Sequence, residues 1–340
     1  SGVCPFASGL NVAWVSFASD IGPNGPNLTA FTTLFNNTHA AGGRVVRWWF
    51  HTNGTVTPGY DATGNALPIS QTDISQVQSI LDAAHTAGVA VNISLWSFDM
   101  LQKGKEGISA STLTNNQNLL MVDSNRQAYI DNVLTPLVKA LKGNPGLYSY
   151  EIFNEPEGMA SDVKNAGWAA ATIPESFIQR TVNWLAAAIH TADPSALVTN
   201  AAWTFQACAN TVSGMTNYYS DAALRGAGGM SNGTLDYYEV HYYAANGPTY
   251  SCYTNQASHW GLDKPIVMGE FYALATDGVA ANNTYTTIFS NGYAGAWSWQ
   301  YENSDGTNTS NGGQSTKWPA MQAPMQNLLS AHPTEVNGCP

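Results

Sequence analysis

The chain has 340 residues, of which 44% are hydrophobic and 10% are charged, with a formal net charge of −11 at pH 7. This composition supports a large buried core and excludes a disordered chain. The negative charge argues against nucleic acid and anionic membrane surfaces as partners, and the sequence has no run of about 18 apolar residues that could cross a membrane. A neutral partner is expected.

Apolar runs of strand length alternate with amphipathic stretches, which is typical of repeated β–α units around a parallel sheet. The predicted strands are Leu10–Ser16, Val45–Phe50, Ala90–Trp96, Leu147–Phe153, Ala196–Ala202, Tyr237–Tyr242, Pro265–Phe271 and Ala294–Trp299. The predicted helices are Thr72–Ala87, Asn125–Leu141, Pro174–Thr191, Tyr285–Ser290 and Met321–Leu329.

Eight strands with intervening helices predict an α/β fold, a (β/α)8 TIM barrel forming a single domain over residues 1–340. An open doubly wound sheet is the alternative, but no glycine-rich phosphate-binding turn follows the first strand. The segment Asn303–Gln314 is rich in Gly, Ser and Asn, and it is predicted to be a long loop after the eighth strand.

The cysteines and the start of the chain favour a secreted, extracellular protein. The four cysteines lack zinc-type spacing and are predicted to form two disulfides, Cys4–Cys339 and Cys208–Cys252, the first because the two ends of a closed barrel lie near each other. Ser1 looks like a processed start. Six Asn-x-Ser/Thr sites are expected at the surface: Asn27, Asn36, Asn53, Asn232, Asn282 and Asn308. A seventh, Asn92, lies in a predicted strand and is expected to be unmodified.

Two glutamates end predicted strands, and chemistry in a barrel collects at the C-terminal strand ends. Glu155 follows the fourth strand and Glu270 ends the seventh. Glycosidic bond hydrolysis needs one protonated carboxyl group and one ionised carboxylate, which such a pair supplies. A single glutamate in this position is more often a structural residue or an ion-pair partner, so spacing alone leaves both interpretations open.

Three segments make the interpretation specific. Residues 154–156 read Asn-Glu-Pro, residues 240–243 read Val-His-Tyr-Tyr, and residues 268–271 read Met-Gly-Glu-Phe. In this order and spacing they resemble glycoside hydrolase family 5, and Arg47 on the second strand and Trp299 on the eighth extend the resemblance. It covers strands two to eight.

The resemblance implies a role for each matching residue. Glu155 is expected to be the catalytic acid/base and Glu270 the nucleophile, while Asn154 binds the 2-hydroxyl of the sugar being cleaved. Tyr243 is expected to donate a hydrogen bond to Glu270, with Arg47 behind it. These neighbours favour the ionised form of Glu270, whereas Glu155 is expected to hold its proton more strongly. No metal or cofactor is expected.

Other residues are assigned to substrate binding. His241 is expected to line the same subsite, and Trp299 to form the platform under the sugar, while Trp297 fills the core. Four more tryptophans near strand ends are candidates for outer subsites, and two of them are expected to be packing residues: Trp14, Trp49, Trp96 and Trp203.

Several polar residues are expected to be structural. Glu151 and Glu239 have the parity to point into the barrel, where Arg44 and Arg47 are available as partners, so we expect a structural network rather than a second catalytic pair. Asp99, in the loop after the third strand, is expected to be a solvated charge.

The sequence departs from the familiar family pattern at two strands. The third strand ends Leu-Trp-Ser at residues 95–97, where many members carry His-Asn. The second strand reads Arg-Trp-Trp at 47–49, where the family pattern continues with more polar residues after the arginine. These departures leave the outer subsites, and therefore the substrate, open.

The sequence thus predicts a secreted, monomeric, retaining endo-hydrolase acting on a β-1,4-linked polysaccharide, mannan or glucomannan. An endo-β-1,4-glucanase of the same family is the alternative. A noncatalytic sugar-binding barrel would have lost one of the two glutamates, and both are present. A transglycosylase would retain both.

Overall fold

The computed structural model describes residues 3–103, 108–302 and 317–340. Eight parallel strands form a closed barrel, in which each strand pairs with the next and the first pairs with the last. The strands are β1 Ala7–Ala13, β2 Val45–Thr52, β3 Ala90–Ser97, β4 Leu147–Asn154, β5 Val198–Ala202, β6 Tyr238–His241, β7 Ile266–Glu270 and β8 Gly295–Ser298. The predicted (β/α)8 barrel is confirmed.

Helices follow or flank the strands and form the outer layer. They are α1 Leu28–Ala40, α2 Gln71–Ala87, α3 Ala110–Met121, α4 Asp123–Tyr129, α5 Thr135–Leu141, α6 Glu175–Ala192, α7 Asp221–Gly228, α8 Thr284–Ser290, α9 Trp318–Ala331 and α10 Pro333–Asn337. A π-helical segment, Ile130–Leu134, joins α4 to α5, so the helix predicted at 125–141 is one continuous element with a wider turn in its middle.

Helix α2 shows how local sequence signals set the element boundaries. The side chain of Ser70 accepts a hydrogen bond from the backbone N–H of Asp73 and caps the N-terminus. Gly88 ends the helix in the left-handed conformation at φ 82°, which glycine adopts without a Cβ penalty. Ile74, Val77 and the other apolar side chains on one face of the helix are buried, so the helix packs against the barrel. β3 begins at Ala90, two residues after Gly88.

The first strand begins and ends three residues earlier than the sequence pattern predicts. It pairs with β8 from Ala7 onward and stops at Ala13, which has φ 53°. The next residues turn away because the carboxylate of Asp20 accepts hydrogen bonds from the N–H groups of Val15 and Ser16. A side chain downstream therefore ends the strand, and the apolar pattern does not show this.

The interior of the barrel, away from the C-terminal strand ends, is filled by both apolar and polar side chains. Trp297 is fully buried and its indole N–H donates to the carbonyl of Ala7, as expected of a core residue. Asn92 donates to the hydroxyl of Ser149, which also contacts the Tyr237 hydroxyl at 2.8 Å. Asn92 therefore faces the inside of the barrel and cannot carry a glycan.

Other Asn-x-Ser/Thr sites differ in exposure. Asn27, Asn36, Asn232 and Asn282 are exposed, as predicted. The surface position predicted for Asn53 is wrong, because this residue is fully buried and its carbonyl accepts a hydrogen bond from Asn116. Asn308 and the loop predicted at 303–314 lie outside the described residues. None of the described helices combines the length and the apolar character that a membrane crossing requires.

One predicted disulfide is confirmed and the other is wrong. Cys4 and Cys339 are bonded, with their Cα atoms 5.2 Å apart, and the bond joins the segment before β1 to the residues after α10. Cys208 and Cys252 are free and buried. Both are packed among the apolar side chains of the main core, where a free thiol serves as a small hydrophobic side chain.

We expect thiol titration of the denatured, unreduced protein to find two reactive groups, and four after reduction. Opening the single disulfide by Cys339→Ser should lower the free energy of unfolding by about 2–5 kcal/mol, because a very long loop is no longer closed in the unfolded chain. Cys252→Ser, which leaves the disulfide intact, serves as the comparison variant. A titration that finds no thiols would restore the two-disulfide assignment.

Candidate active site

Three side chains meet at the C-terminal mouth of the barrel, at the ends of β4, β6 and β7. One ligating atom from each of Glu155, His241 and Glu270 lies within 4.8 Å of the others. The two glutamates that the sequence singled out therefore face each other across a short gap, with the imidazole beside them. Among the described residues this is the one acid and histidine group with spacing that also suits a metal ion.

Glu270 is held from two sides. Its Oε1 accepts from Arg47 Nη1 at 2.6 Å, and its Oε2 accepts from the Tyr243 hydroxyl at 2.6 Å. Burial raises the pKa of Glu270 above its ordinary value, while His241, Arg47 and the Tyr243 hydrogen bond act to lower it. Both oxygens are thus held by donors that suit a carboxylate.

Glu155 has a different environment. Its Oε2 lies 2.8 Å from His241 Nδ1, and 17% of its side-chain surface is accessible from the mouth. Burial raises the pKa of Glu155 to about 8; Arg47 opposes this, while the charges of Asp99 and Glu151 add to it. Burial also lowers the pKa of His241 to about 4, so the imidazole is neutral at pH 7. Glu155 therefore keeps its proton at neutral pH.

The backbone of Glu155 is unusual. The residue adopts the left-handed conformation, with φ 45° and ψ 54°, which is uncommon for a residue with a side chain and tends to occur at functional sites. Its N–H donates to the carbonyl of Ala201 on β5. Two residues later the Glu157 carboxylate accepts from the Tyr219 hydroxyl and from the backbone N–H of Trp203. The loop is therefore fixed on both sides of the glutamate.

Asn154 is oriented by two partners. Its Oδ1 accepts from Arg47 Nη2 at 2.8 Å, and its Nδ2 donates to Ser97 Oγ at 3.1 Å. Ser97 in turn donates to the carboxylate of Asp99. Asp99 is thus half-buried and hydrogen-bonded, contrary to the solvated charge expected from the sequence. Ser97 and Asp99 occupy the region where the resemblance would place His-Asn.

Arg47 is the centre of the buried polar network. Its guanidinium contacts Glu151 with two hydrogen bonds of 2.7 Å and also donates to Asn11 Oδ1 at 2.9 Å. The expected network of Glu151 and Glu239 with an arginine is present, and Arg47 provides it; Arg44 bonds to backbone carbonyls and Asn337 instead. Asn11 was not predicted; a buried amide in the apolar first strand was the available signal.

A first aromatic group lies at the ends of β1, β2 and β8. Trp299 is partly exposed, with its ring 6.0 Å from that of Trp14 and 5.7 Å from that of Trp49. The Arg47 guanidinium lies 5.4 Å from the Trp49 ring. Trp299 therefore has packed neighbours that fix its orientation and one face that remains available.

A second aromatic group lies beyond β3, β4 and β5. Trp203 lies 6.0 Å from Trp168, whose ring is 5.3 Å from that of Phe98. Trp168 is 40% exposed and covers Gly158, where a Cβ would lie 2.6 Å from its ring. Trp168 and Phe98 were not predicted as binding residues, because both follow strands in loops that no periodic pattern marks.

Trp96 does not belong to either group. It is 1% exposed, lies 4.7 Å from the His51 ring and 5.8 Å from the Tyr129 ring, and packs beneath the surface. The structure therefore brings the predicted polar site residues together with Trp299 at the mouth, while it places Trp96 among the packing residues and buries Trp203 behind Trp168.

The chain is similar to several known proteins. The family model described as cellulase, glycosyl hydrolase family 5, matches residues 7–305. The mannan endo-1,4-beta-mannosidase of Cryptopygus antarcticus is 35% identical over 320 residues, covering 87% of this chain and 80% of the relative. The β-mannanase structure from Mytilus edulis superposes with a TM-score of 0.83 at 33% identity, covering 96% and 92% of the two chains. That from Eisenia fetida has the same TM-score at 31% identity, covering 95% and 90%.

We expect the Glu155 carboxyl group to titrate near pH 8 in 13C NMR spectra of glutamate-labelled protein. Asp99→Asn should lower this pKa, because it removes a nearby negative charge that favours the protonated form. Asp131→Asn removes an exposed charge on the outer helical layer and should leave the titration unchanged. A Glu155 that titrates in the ordinary range of about 4 in the wild type would contradict the effect of burial.

Proposed function

Because this chain belongs to glycosyl hydrolase family 5 and is therefore a glycoside hydrolase, we propose that it cleaves β-1,4-linked mannan within the polymer and retains the anomeric configuration. The observation that carries this proposal is the facing pair Glu155 and Glu270, whose nearest ligating oxygens lie within 4.8 Å. Retaining enzymes hold their two carboxyl groups about 5–5.5 Å apart, whereas inverting enzymes need about 6.5–9.5 Å to admit a water molecule. The gap here supports retention.

The different environments of the two glutamates support different roles for them. Glu155, with its pKa raised to about 8, protonates the leaving oxygen while Glu270 attacks the anomeric carbon and forms a glycosyl–enzyme ester. Glu155 is then ionised and removes a proton from water, which cleaves the ester and returns Glu270 as a carboxylate. Asn154, fixed by Arg47 and Ser97, donates to the 2-hydroxyl of the reacting sugar, where hydrogen bonds strengthen in the transition state.

The polymer substrate is supported by the two aromatic groups and by the relatives. Trp299 on one side of the glutamates and Trp168 on the other, the latter packed on the buried Trp203, provide flat apolar faces for successive sugar rings. Two curated relatives at 34–35% identity are named mannan endo-1,4-beta-mannosidases. The runner-up is an endo-β-1,4-glucanase, which the description of the family model as a cellulase supports.

The compartment and the oligomeric state of the enzyme are inferred from the disulfide and from the composition of the site. The disulfide Cys4–Cys339 is the kind of bond that persists in oxidising compartments, which supports an extracellular enzyme. We propose that the enzyme acts as a monomer, because the acid, the nucleophile and the side chains that hold them make up a two-carboxylate site that needs no group from a second copy.

Reducing-sugar assays on mannan, glucomannan, carboxymethylcellulose and xylan test the substrate assignment. We expect activity on mannan and glucomannan, with short oligosaccharides of several lengths released early, as internal cleavage requires. Activity on carboxymethylcellulose that exceeds activity on mannan would favour the glucanase.

Azide rescue distinguishes the two glutamates. Glu270→Ala removes the nucleophile and leaves space for an anion, so azide should attack from that face and give the inverted glycosyl azide. Glu155→Ala should lower the rate on mannan by about 10²- to 10⁴-fold, because general acid assistance is lost. It should spare the first step of activated aryl glycosides and give the retained azide. If the stereochemistry of the two azides is exchanged, the roles are reversed.

Trp168→Ala tests the second aromatic group. We expect a KM for mannan that rises severalfold, consistent with the loss of roughly 1 kcal/mol of ring contact, while the hydrolysis of a small aryl glycoside stays unchanged. Leu67→Ala, which removes another exposed apolar side chain, is the control. An unchanged KM for the polymer would remove Trp168 from the binding surface.

A further inference from the structure

Glu239 on β6 is a buried carboxyl group for which the proposed mechanism has no use. Its side chain is inaccessible to solvent and lies inside the barrel beneath the catalytic pair. Both carboxyl oxygens lack a hydrogen-bond donor among the described residues. A buried carboxylate without donors is costly, so the state of this group needs a physical explanation.

Arg47 is the nearest cation, with Nε 3.1 Å from Glu239 Oε1. Its five N–H donors, however, are all directed elsewhere. Nε and one Nη2 hydrogen bond to Glu151, the other Nη2 hydrogen to Asn154, and the two Nη1 hydrogens to Asn11 and Glu270. A guanidinium has no sixth donor. Glu239 is therefore close to the positive charge without receiving a hydrogen bond from it.

The surroundings of Glu239 leave one good partner. Glu151 on β4 lies within hydrogen-bonding reach. On β6 itself, His241 Nε2 is 3.8 Å from Glu239 Oε1, too far for a hydrogen bond. The other charged or titratable groups that act on Glu239 or are affected by its charge are Arg47, Glu270, Tyr237 and Tyr148.

We propose that Glu239 is a positioning residue that stays protonated in the working enzyme and donates its O–H to Glu151. This single proton gives both acids a hydrogen-bond partner and removes the buried charge from Glu239. Glu151 then accepts from Arg47, Ser94 and Glu239 together, which fixes the carboxylate and the guanidinium that it binds. Glu239 thereby acts on the reaction through Arg47, which holds Glu270, and it does not contact the substrate.

The charge balance agrees with this assignment. Arg47 meets three glutamates, and with Glu239 neutral the group carries a net charge of −1 rather than −2. Burial raises the pKa of Glu239 well above its ordinary value; the charge of Glu151 adds to this, and Arg47 opposes it. Burial is also the largest single influence on Glu151 and acts to raise its pKa, but the charge and hydrogen bonds of Arg47 together with the hydrogen bonds of Glu239 and Ser94 outweigh it, so the pKa of Glu151 is lowered. The proton therefore belongs to Glu239.

Gly269, next to Glu270, makes room for this arrangement. A Cβ at this position would lie 2.1 Å from Glu239 Oε1 and 2.5 Å from its Cγ. The glycine is therefore required by the Glu239 side chain rather than by its own backbone conformation. Gly269→Ala should displace Glu239 and lower kcat, and combining it with a smaller residue at 239 should not lower kcat further.

Infrared difference spectra test the protonation state directly. The spectrum of the wild type minus that of Glu239→Gln, at neutral pH, should contain the carbonyl band of a protonated carboxylic acid. A difference with only carboxylate bands would overturn the proposal. This measurement is independent of the roles of Glu155 and Glu270, which azide rescue tests separately. Kinetic tests of Glu239 variants, in contrast, rest on the proposed function.

Kinetics with two variants of matched size test the positioning role. Glu239→Gln keeps a neutral donor to Glu151, so kcat and the acidic limb of the pH profile should match those of the wild type. If Glu239 were ionised, this variant would remove a negative charge and lower the apparent pKa of Glu270. Glu239→Met keeps the volume without the donor, and kcat should fall about 10- to 100-fold with little change in KM, because Arg47 and Glu270 lose their fixed geometry.

Asp193→Asn is the control for the loss of a buried carboxyl group. Asp193 is buried in the loop between α6 and β5, at the opposite end of the barrel from the catalytic mouth, and it bonds to Ser195, so kcat and the acidic limb should stay unchanged. A wild-type kcat in Glu239→Met would exclude a positioning role for Glu239. A shifted acidic limb in Glu239→Gln would exclude a neutral Glu239.

Discussion

The catalytic mouth depends on one buried guanidinium. Arg47 comes from β2, and its five donors reach side chains on β1, β4 and β7, so a single group fixes Asn154 and Glu270 relative to each other. A buried charge persists when all its hydrogen bonds are made, and removing one partner of such a group costs about 3–5 kcal/mol. Local changes around Arg47 therefore affect stability and geometry at the same time.

The two glutamates differ because their neighbours differ. Glu270 has a cation and a hydroxyl donor on its two oxygens, whereas Glu155 has a neutral imidazole and the charges of Asp99 and Glu151 nearby. The same side chain is thus kept protonated at one strand end and has its charge stabilised at the other. The resemblance predicts Arg47 and Tyr243 beside Glu270, whereas the charges of Asp99 and Glu151 near Glu155 are visible only in the closed barrel.

The sequence predicts what short-range patterns encode. The strands, the Asn-Glu-Pro segment and Glu270 carry their own local signals, and the structure agrees with them. The end of β1 depends on Asp20, several residues downstream, so the apolar pattern of the strand does not show it. Whether Cys208 forms a disulfide depends on where the fold places it, and spacing along the chain does not show that it is free. Trp168 lies in a long loop, where distance along the chain gives no information about which strand end it covers.

The bond between Cys4 and Cys339 turns the barrel into a covalent ring, because the loop that it closes contains all eight strands. Beside this bond, β1 and β8 complete the sheet, so the seam of the barrel cannot open by peeling the first strand away from one end. A proteolytic cut in any surface loop between two strands would leave one connected molecule with new ends at the cut. Such a nicked protein should keep its strand neighbours, and the two fragments would separate only when the bond is reduced and the fold is denatured.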